Sequence, residues 1–169
     1  MDIKKYVGKF NLTVFKNIYF KYGVTKWGYT TVWFGAKPYS YSGVKHTAKV
    51  MPTYFGNMAD SLGKSYGYSK GYFNSVLINY FPRGKGIGFH RDDEEALRLK
   101  DGTIGAILVL TLGTPAEITI RGDKVNENFT AHDSTTYLMP EGDFQDTHEH
   151  KVGKTKTYRI SLTFRHIEG

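Results

Sequence analysis

The sequence predicts a mainly β fold, a sandwich or jelly roll with helical support. Three observations indicate this class: several short segments are rich in β-branched and aromatic residues, Gly and Pro separate them, and one early stretch has helical periodicity. The chain has 169 residues, 40% of them hydrophobic, which is enough for a substantial core. We therefore expect residues 1–169 to form a single domain.

The elements can be placed in chain order. Residues 26–41 are aromatic and β-branched and are interrupted at Gly28 and Gly35, a pattern that predicts strands and a loop. Residues 51–62 carry apolar side chains at helical spacing and predict one amphipathic helix. Residues 83–88 are rich in Gly and predict a turn connection. Further strands are predicted at Ser75–Phe81, Ile104–Leu112, Glu117–Arg121, Thr135–Met139 and Thr157–Arg165.

Composition excludes several classes of protein. The chain has no cysteine, so neither a disulfide framework nor a thiolate metal site is possible. Small secreted domains usually contain cysteines, so this composition favours an intracellular setting, and we expect the protein to be cytoplasmic. No apolar run approaches the length that spans a membrane, and we expect no membrane partner.

Charge is divided unevenly along the chain. Residues 1–70 contain 11 Lys or Arg residues and two acidic residues, for a net charge of +9. Residues 71–169 contain 12 Lys or Arg residues and 14 acidic residues, for a net charge of −2. The basic part also holds nine of the 13 tyrosines and both tryptophans. Lysines neutralise phosphates and aromatic faces stack on bases, so this mixture suits a nucleic acid. The alternative is a lysine-rich surface over an aromatic core, and charge alone does not decide between the two.

A candidate metal site begins with His90 and Asp92. In a strand, residues i and i+2 share a face, so these two side chains would point the same way. Two histidines and one carboxylate form the facial triad that holds Fe(II) with open positions, and this pair supplies two of the three ligands. The alternative is a histidine at a strand end beside a solvated turn, since residues 93–95 are all acidic.

A third ligand must come from another part of the chain. His148 and His150 are also two residues apart, and spacing alone does not choose between them. His132 is a further candidate, although its polar surroundings indicate a turn. Zinc is the competing metal, because zinc enzymes also use two histidines and a carboxylate.

The last predicted strand carries an arginine at each end of one face. Arg159, Ser161, Thr163 and Arg165 alternate with apolar side chains and therefore share its polar face. If both guanidinium groups lean inward, they are able to hold the two ends of a short diacid, because arginine recognises carboxylates in a bidentate way. This feature favours iron over zinc. The alternative is an ordinary solvent-exposed strand face.

Taken together, these pieces resemble the AlkB family of Fe(II)/2-oxoglutarate-dependent dioxygenases. The motifs that carry the resemblance are Asn79-Tyr-Phe81, Gly84, His90-Arg-Asp92-Asp93-Glu94, His150, Arg159-Ile-Ser-Leu-Thr-Phe-Arg165 and, ahead of them, Trp33-Phe-Gly-Ala-Lys-Pro-Tyr-Ser-Tyr41. The compact form is similar to AlkB domains inside the replicase polyproteins of plant RNA viruses. That likeness favours RNA over DNA, and it would make the cytoplasm that of a host cell.

The resemblance implies a double-stranded β-helix, the jelly roll, with a supporting N-terminal helix. Residues of about 1–70 would form the support and a basic, aromatic nucleotide-recognition lid, and residues of about 71–169 the catalytic jelly roll. The family places a Gln before the last iron ligand and a Val after it, and Gln145 and Val152 fit this pattern around His150.

The same resemblance implies the cofactors Fe(II), 2-oxoglutarate and O2. His90, Asp92 and His150 would be the metal ligands and the catalytic residues. The two arginines, with Asn79 and Ser161, would bind the cosubstrate. Arg159 would pair with its distal carboxylate, and Arg165 would lie near the end that chelates iron.

Two residues depart from the family pattern. Phe81 stands where the family has a tyrosine, so a hydroxyl that helps to hold 2-oxoglutarate is missing. Tyr80 is adjacent but would face the other way in a regular strand. Ser161 stands where an asparagine is usual and is a shorter hydrogen-bonding group.

The implied activity is oxidative demethylation of N1-methyladenine and N3-methylcytosine, with release of formaldehyde, succinate and CO2. A base within a duplex cannot reach such an iron, so the partner would be single-stranded or flipped-base nucleic acid, with RNA favoured. Trp33, Tyr39 and Tyr41 would stack on the base, and Asp93 or Glu94 would lie near it. We expect a monomer. Two alternatives stay open: an oxygenase that acts on a protein or small molecule, and an inactive nucleic-acid-binding jelly roll.

Overall fold

The computed structural model describes residue 25 and residues 27–169; residues 1–24 and Lys26, which belong to the predicted basic lid, lie outside the described residues. Within the described part, the strands are β1 (Thr30–Phe34), β2 (Tyr39–Tyr41), β3 (Val44–His46), β4 (Ser75–Phe81), β5 (Ile87–His90), β6 (Ile107–Gly113), β7 (Ala116–Gly122), β8 (Val125–Ala131), β9 (Thr135–Met139), β10 (His148–Val152) and β11 (Arg159–Arg165). The helices are α1 (Thr53–Lys64) and α2 (Phe144–Thr147), and Glu95–Leu97 forms a 3-10 turn. The mainly β prediction is confirmed.

Two antiparallel sheets form the body of the fold. The major sheet has the strand order β1-β4-β11-β6-β9, and the minor sheet has the order β5-β10-β7-β8. β2 and β3 form a separate hairpin, whose turn contains Ser42 and Gly43 with φ of 46° and 81°. Two consecutive residues with positive φ form the tight turn whose twist matches antiparallel strands. This hairpin packs Tyr39 and Tyr41 against residues of the major sheet.

An apolar core lies between α1 and one face of the major sheet. The helix is close to its predicted position and begins after Pro52, a residue suited to a helix start. It buries Phe55, Met58 and Leu62 along one side, as helical periodicity requires. A fully buried apolar side chain of this size contributes about 1.5–3 kcal/mol. The apolar face is therefore what fixes the helix on the sheet.

β11 lies in the middle of the major sheet, between β4 and β6. Its apolar side chains, such as Ile160 and Leu162, join the helix-side core. Its other face carries Arg159 and Arg165, which are only 1% and 2% exposed. An ordinary solvent-exposed strand face is therefore excluded. Buried guanidinium groups need polar or anionic partners, and the pocket on this side of the sheet supplies them.

Several strands differ from the elements that the sequence predicts, and β3 and β10 lie where it predicts no strand. β8 has no predicted counterpart, because residues 126–128 are polar and exposed and break the apolar alternation. It forms through its pairing with β7. β5 occupies part of the predicted turn connection. Gly86 allows this segment to approach β10, because a Cβ atom there would overlap the carbonyl oxygen of Val152. The apolar strand expected from Ile104 begins at Ile107.

Candidate metal centre

Two neighbouring strands of the minor sheet bring the three predicted metal ligands together. His90 ends β5 and is the cross-strand partner of His150 in β10, with ring centroids 4.1 Å apart. Asp92 lies just beyond the end of β5, and its Oδ1 is 3.6 Å from His90 Nε2 and 4.0 Å from His150 Nε2. The ligand atoms all lie within 4.8 Å of one another. The side chains therefore converge, although Asp92 is not on the strand from which its orientation was predicted.

The two histidines have different surroundings. His90 Nδ1 lies 2.9 Å from the carbonyl oxygen of Gly88, which leaves Nε2 on the side of Asp92, whereas His150 Nδ1 is buried with no hydrogen-bond partner among the described residues. Burial lowers the pKa of His150 to about 4, although the charge of Asp92 opposes this shift. The ring is therefore neutral at neutral pH. Two neutral imidazoles and one carboxylate fit Fe(II).

Asp92 remains ionised although it is buried. Burial alone would raise its pKa, but Arg165, His150 and His90 together lower it to about 2. Arg165 Nη2 donates a hydrogen bond to Asp92 Oδ2 at 2.5 Å, and Nη1 donates one to the Tyr39 hydroxyl at 2.6 Å. One carboxylate oxygen is thus held by the arginine, while the other faces the two histidines.

A residue of α2 holds the backbone of the same ligand. Gln145 is 2% exposed, and its Oε1 accepts a hydrogen bond from the Asp92 backbone nitrogen at 3.0 Å. Next to it, Asp146 forms a salt bridge with Arg98 at 2.7 Å. These two links fix the loop after β5 against the segment that leads into β10. The sequence identifies Gln145 only as part of the motif around His150. It does not predict the contact with Asp92, because the two residues lie 53 positions apart and no local pattern connects them.

A second charged group lies in the pocket beside the metal ligands. Arg159 Nη2 donates to Thr111 Oγ1 at 3.0 Å, while Nε has no hydrogen-bond partner among the described residues. Among the described residues, Arg159 forms no salt bridge. Asn79 Oδ1 is also buried without a partner there. A buried guanidinium group with unused donors is suited to receive a carboxylate ligand.

The pocket joins the metal ligands to the predicted cosubstrate residues. It is lined by Tyr41, Asn79, Phe81, Ile87, His90, Asp92, Val109, Tyr137, Met139, His150, Val152, Arg159, Ser161, Thr163 and Arg165. Its two arginines are not equivalent, because Arg165 is paired with Asp92 and Arg159 has no such partner among the described residues. The two arginines therefore differ in their contacts, and their grip on the two ends of a diacid stays a prediction.

The aromatic residues around Arg159 differ in their direction. The Phe81 ring centroid lies 5.6 Å from Arg159 Cζ. Tyr80 points to the other side of β4, where its ring is 6.4 Å from that of Tyr158, as strand alternation requires. Tyr137 of β9 also lines the pocket. The sequence does not single out Tyr137, because β9 carries no recognisable motif.

The three aromatic residues predicted to stack on a base form a buried layer. Trp33, Tyr39 and Tyr41 are 1%, 2% and 5% exposed. Trp33 stacks on Tyr39 with ring centroids 4.3 Å apart, and its indole nitrogen donates to the Lys37 carbonyl oxygen. The rings fill the space between the hairpin and the major sheet, so in this conformation they support the site from within. Their contact with a base stays a prediction.

The two acidic residues predicted to lie near the substrate have different surroundings. Asp93 is exposed, whereas Glu94 is partly buried near Tyr39. Burial, together with the charge of Asp92, raises the pKa of Glu94 to about 7. Glu94 therefore lies at the edge of the metal site, while Asp93 faces solvent.

The structure separates the competing histidines. His148 stacks on Phe144 with ring centroids 4.5 Å apart, and its Nδ1 contacts the Thr147 hydroxyl. The metal-binding group found among the described residues contains His150 and neither His148 nor His132. This arrangement agrees with the choice of His150 that the family resemblance implies.

Comparisons with known proteins give the family. The model of the 2OG-Fe(II) oxygenase superfamily matches residues 21–165. The chain is 32% identical over 131 residues to an RNA replication protein of Papaya mosaic potexvirus, with 76% of this chain and 8% of that protein covered. It is 28% identical over 156 residues to alpha-ketoglutarate-dependent dioxygenase alkB homolog 3 of Rattus norvegicus, with 81% of this chain and 49% of that protein covered. The chain thus spans less than half the length of these relatives.

A solved structure confirms the fold. OsALKBH1 matches with a TM-score of 0.59 at 15% identity, over 81% of this chain and 78% of that chain. At this identity the match shows the jelly roll alone. Within the described part of the chain, no helix is both long and apolar enough to cross a membrane.

The viral relatives and the alkB homolog confirm the resemblance that the motifs indicate. The family implies Fe(II), 2-oxoglutarate and O2, and His90, Asp92 and His150 are the candidate iron site. With motifs, fold and ligand geometry in agreement, this AlkB-like chain belongs to the 2OG-Fe(II) oxygenase superfamily.

Proposed function

We propose that the chain oxidatively demethylates N1-methyladenine and N3-methylcytosine in single-stranded RNA or DNA, with release of formaldehyde, succinate and CO2. When bound, Fe(II), 2-oxoglutarate and O2 supply the oxidising power of the superfamily. The observation that carries the proposal is a groove that opens beside His90, one of the candidate iron ligands.

The groove has the chemistry of a nucleotide site. Its volume is about 480 Å³, and its walls include Trp27, Phe89, Lys85 and Lys154. Aromatic faces stack on bases and lysines neutralise phosphates, so these side chains suit both parts of a nucleotide. His90 lines this groove and also the metal pocket. A base seated in the groove would therefore have its edge next to the metal site.

Burial of the metal ligands favours an unpaired base. Asp92 and His150 are 3% and 5% exposed, so a base that remains stacked in a duplex has no path to them. The substrate must be single-stranded or must flip its base out of the helix. Of the aromatic residues, Trp27 is 58% exposed at the groove, whereas Trp33 is buried. In this conformation Trp27 is the better placed of the two to stack on the base.

The chain's own side chains divide the remaining tasks. Holding Fe(II) is assigned to His90, Asp92 and His150. Binding 2-oxoglutarate is assigned to Asn79, Arg159, Ser161 and Arg165. Contact with the substrate is assigned to Trp33, Tyr39, Tyr41, Asp93 and Glu94, with Trp27 added by its exposure. The buried and unpaired Arg159 is the main support for the cosubstrate assignment.

The relatives support nucleic acid as the substrate class. One is named alkB homolog 3, and others are RNA replication proteins, among them a polyprotein of Apple stem pitting virus that is 27% identical over 136 residues. The viral relatives favour RNA over DNA and the host cytoplasm as the place of action. A monomeric state stays a prediction.

The direct experiment is formaldehyde release from a single-stranded oligonucleotide that carries N1-methyladenine, with and without Fe(II) and 2-oxoglutarate. We expect release that needs both and that is lost in His90→Ala, Asp92→Ala and His150→Ala. Turnover that survives these substitutions would contradict the iron site. A methylated lysine peptide of matched charge is the second substrate, and preferential turnover of the peptide would replace the proposal by a protein oxygenase.

A further inference from the structure

We propose that the hydroxyl of Tyr137 binds the distal carboxylate of 2-oxoglutarate together with Arg159, and so takes the place of the hydroxyl that Phe81 lacks. The inference rests on the proposed role of Arg159 in the same pocket. It is carried by the position of Tyr137 on the major sheet, by its place in the pocket that Arg159 also lines and by the packing of its ring.

Strand register places Tyr137 on the pocket side of the major sheet. Tyr137 in β9 is opposite Val109 in β6, which in turn is opposite Thr163 in β11. Directly opposed residues of paired strands share a face, and residues i and i+2 of one strand do so as well. Tyr137 therefore lies on the same face as Arg159 and Ser161, and all of them line the pocket.

Tyr137 and Arg159 line the same pocket. Burial raises the pKa of the Tyr137 hydroxyl, while the charge of Arg159 and a hydrogen bond with it oppose that rise. Arg159 uses Nη2 for Thr111, and its Nε has no partner among the described residues. A carboxylate at this position would accept hydrogen bonds from the guanidinium group and from the phenol O–H.

The Tyr137 ring is held independently of its hydroxyl. It makes an edge contact with Phe129 of the minor sheet, with ring centroids 5.2 Å apart and an interplanar angle of 71°. It also packs against apolar clusters that include Met139 and Ile118. Removal of the hydroxyl should therefore leave the ring in place, so Tyr137→Phe tests the oxygen atom alone.

Neighbouring side chains are less suited to this contact. Phe81 presents only carbon atoms to Arg159, and Tyr80 faces the opposite side of β4. Tyr41 also lines the pocket, but its ring packs edge-on against that of Tyr29. Tyr137 thus combines a hydroxyl with a place in the same pocket as Arg159, which has no acidic partner among the described residues.

The test is the dissociation constant of 2-oxoglutarate, measured by calorimetry without O2 on protein loaded with Mn(II). Tyr137→Phe should raise this constant about tenfold or more, because a hydrogen bond to a charged group is lost. 2-Oxovalerate has the same carbon chain with a methyl group in place of the distal carboxylate, so it should bind equally to both proteins. Tyr80→Phe is the matched control and should change neither constant.

The outcomes separate this inference from the proposed function. An unchanged constant for 2-oxoglutarate in Tyr137→Phe, or an equal loss for both oxo acids, would overturn it. Failure of the unaltered protein to bind 2-oxoglutarate would overturn the cosubstrate site and the role of Tyr137 with it. If the protein shows the expected binding constants and still turns over no methylated oligonucleotide, that result would support the role of Tyr137 in binding 2-oxoglutarate and would contradict only the demethylase proposal.

Discussion

Gln145 Oε1 lies 3.0 Å from the backbone nitrogen of Asp92 and accepts its hydrogen. Both residues are buried, at 2% and 3% exposure, so water cannot replace this bond at little cost. The bond fixes the loop that carries one candidate iron ligand to the helix that precedes another. It therefore sets the distance between the two halves of the metal site.

Replacing Gln145 by Leu should weaken metal binding. Leucine has no acceptor, so the Asp92 N–H loses its partner, at a cost of about 1–3 kcal/mol in the free energy of unfolding. Loss of a group that orients a ligand lowers metal affinity by about 10–100-fold, and we expect a decrease of about tenfold here. Titration of Co(II) into metal-free protein measures it. Asp143→Asn is the control, because Asp143 is exposed just before α2 and its side chain makes no cap hydrogen bond, and an equal loss in both variants would contradict the role of Gln145.

Arg165→Met should destabilise the metal-free protein far more than Arg98→Met. Removing Arg165 leaves the buried Asp92 carboxylate unpaired, which costs about 3–5 kcal/mol in the free energy of unfolding. Arg98 and Asp146 form a similar bond at the surface, where such pairs contribute up to about 1 kcal/mol. Urea unfolding compares the two variants. Equal losses would show that Asp92 does not depend on its arginine.

In the metal-free protein, His150 should contribute a loss of stability as the pH falls below 6.5, while Glu94, whose pKa is raised from 4.5 to about 7, contributes an opposite gain over the same range. The pKa of His150 is about 4 in the folded state and 6.5 as its ordinary value, so between these limits the unfolded chain binds the proton first. The contribution of His150 to the free energy of unfolding is complete above pH 6.5 and is lost as the pH falls toward 4. Asp92, with a pKa lowered from 3.8 to about 2, adds a loss in the same direction at lower pH.

Melting temperatures of chelator-treated protein across this pH range measure the effect. His150→Gln should raise the melting temperature at pH 4.5 relative to that at pH 7, because the group that takes up a proton in the unfolded chain is gone and the opposite contribution of Glu94 is left. A slope that is unchanged in this variant would assign the acid sensitivity to other groups.

Trp27→Ala should weaken binding of single-stranded RNA. Stacking of one base on an aromatic ring is worth about 1–3 kcal/mol, so the dissociation constant should rise roughly 5- to 100-fold. Fluorescence anisotropy with an unmethylated labelled oligonucleotide measures it without turnover. Tyr54→Ala is the control, because Tyr54 is 37% exposed but lies on α1, outside the groove. An affinity that Trp27→Ala leaves unchanged would place the nucleic acid elsewhere.

The elements that could be predicted from the sequence are those with a local pattern. Ser75–Phe81 is recovered as β4, and α1 lies within two residues of the predicted helix at both ends. β8 could not be predicted, because its polar residues become a strand only through pairing with β7. β5 could not be predicted either, because it lies in a Gly-rich segment and forms through pairing with β10, which is far along the chain.

The residues of the candidate site could be predicted from the sequence only where they belong to a motif. Motif spacing was enough to name His90, Asp92 and the arginines of β11, because those residues recur in a fixed order. The contact of Gln145 with Asp92 and the place of Tyr137 in the pocket of Arg159 could not be predicted, since both bring distant segments together. The burial of the aromatic layer also depends on the hairpin that covers it, which no local pattern reveals.

β5 is an edge strand of the minor sheet, and among the described strands its neighbour in that sheet is β10. A metal held by ligands from both sides of this pair acts as a cross-link between the edge and the interior. The ligands come together only in the folded chain, so the free energy of metal binding would add to that of folding. Bound iron would therefore stabilise this edge strand, and its removal would weaken the pairing that keeps the strand edge from associating with other chains.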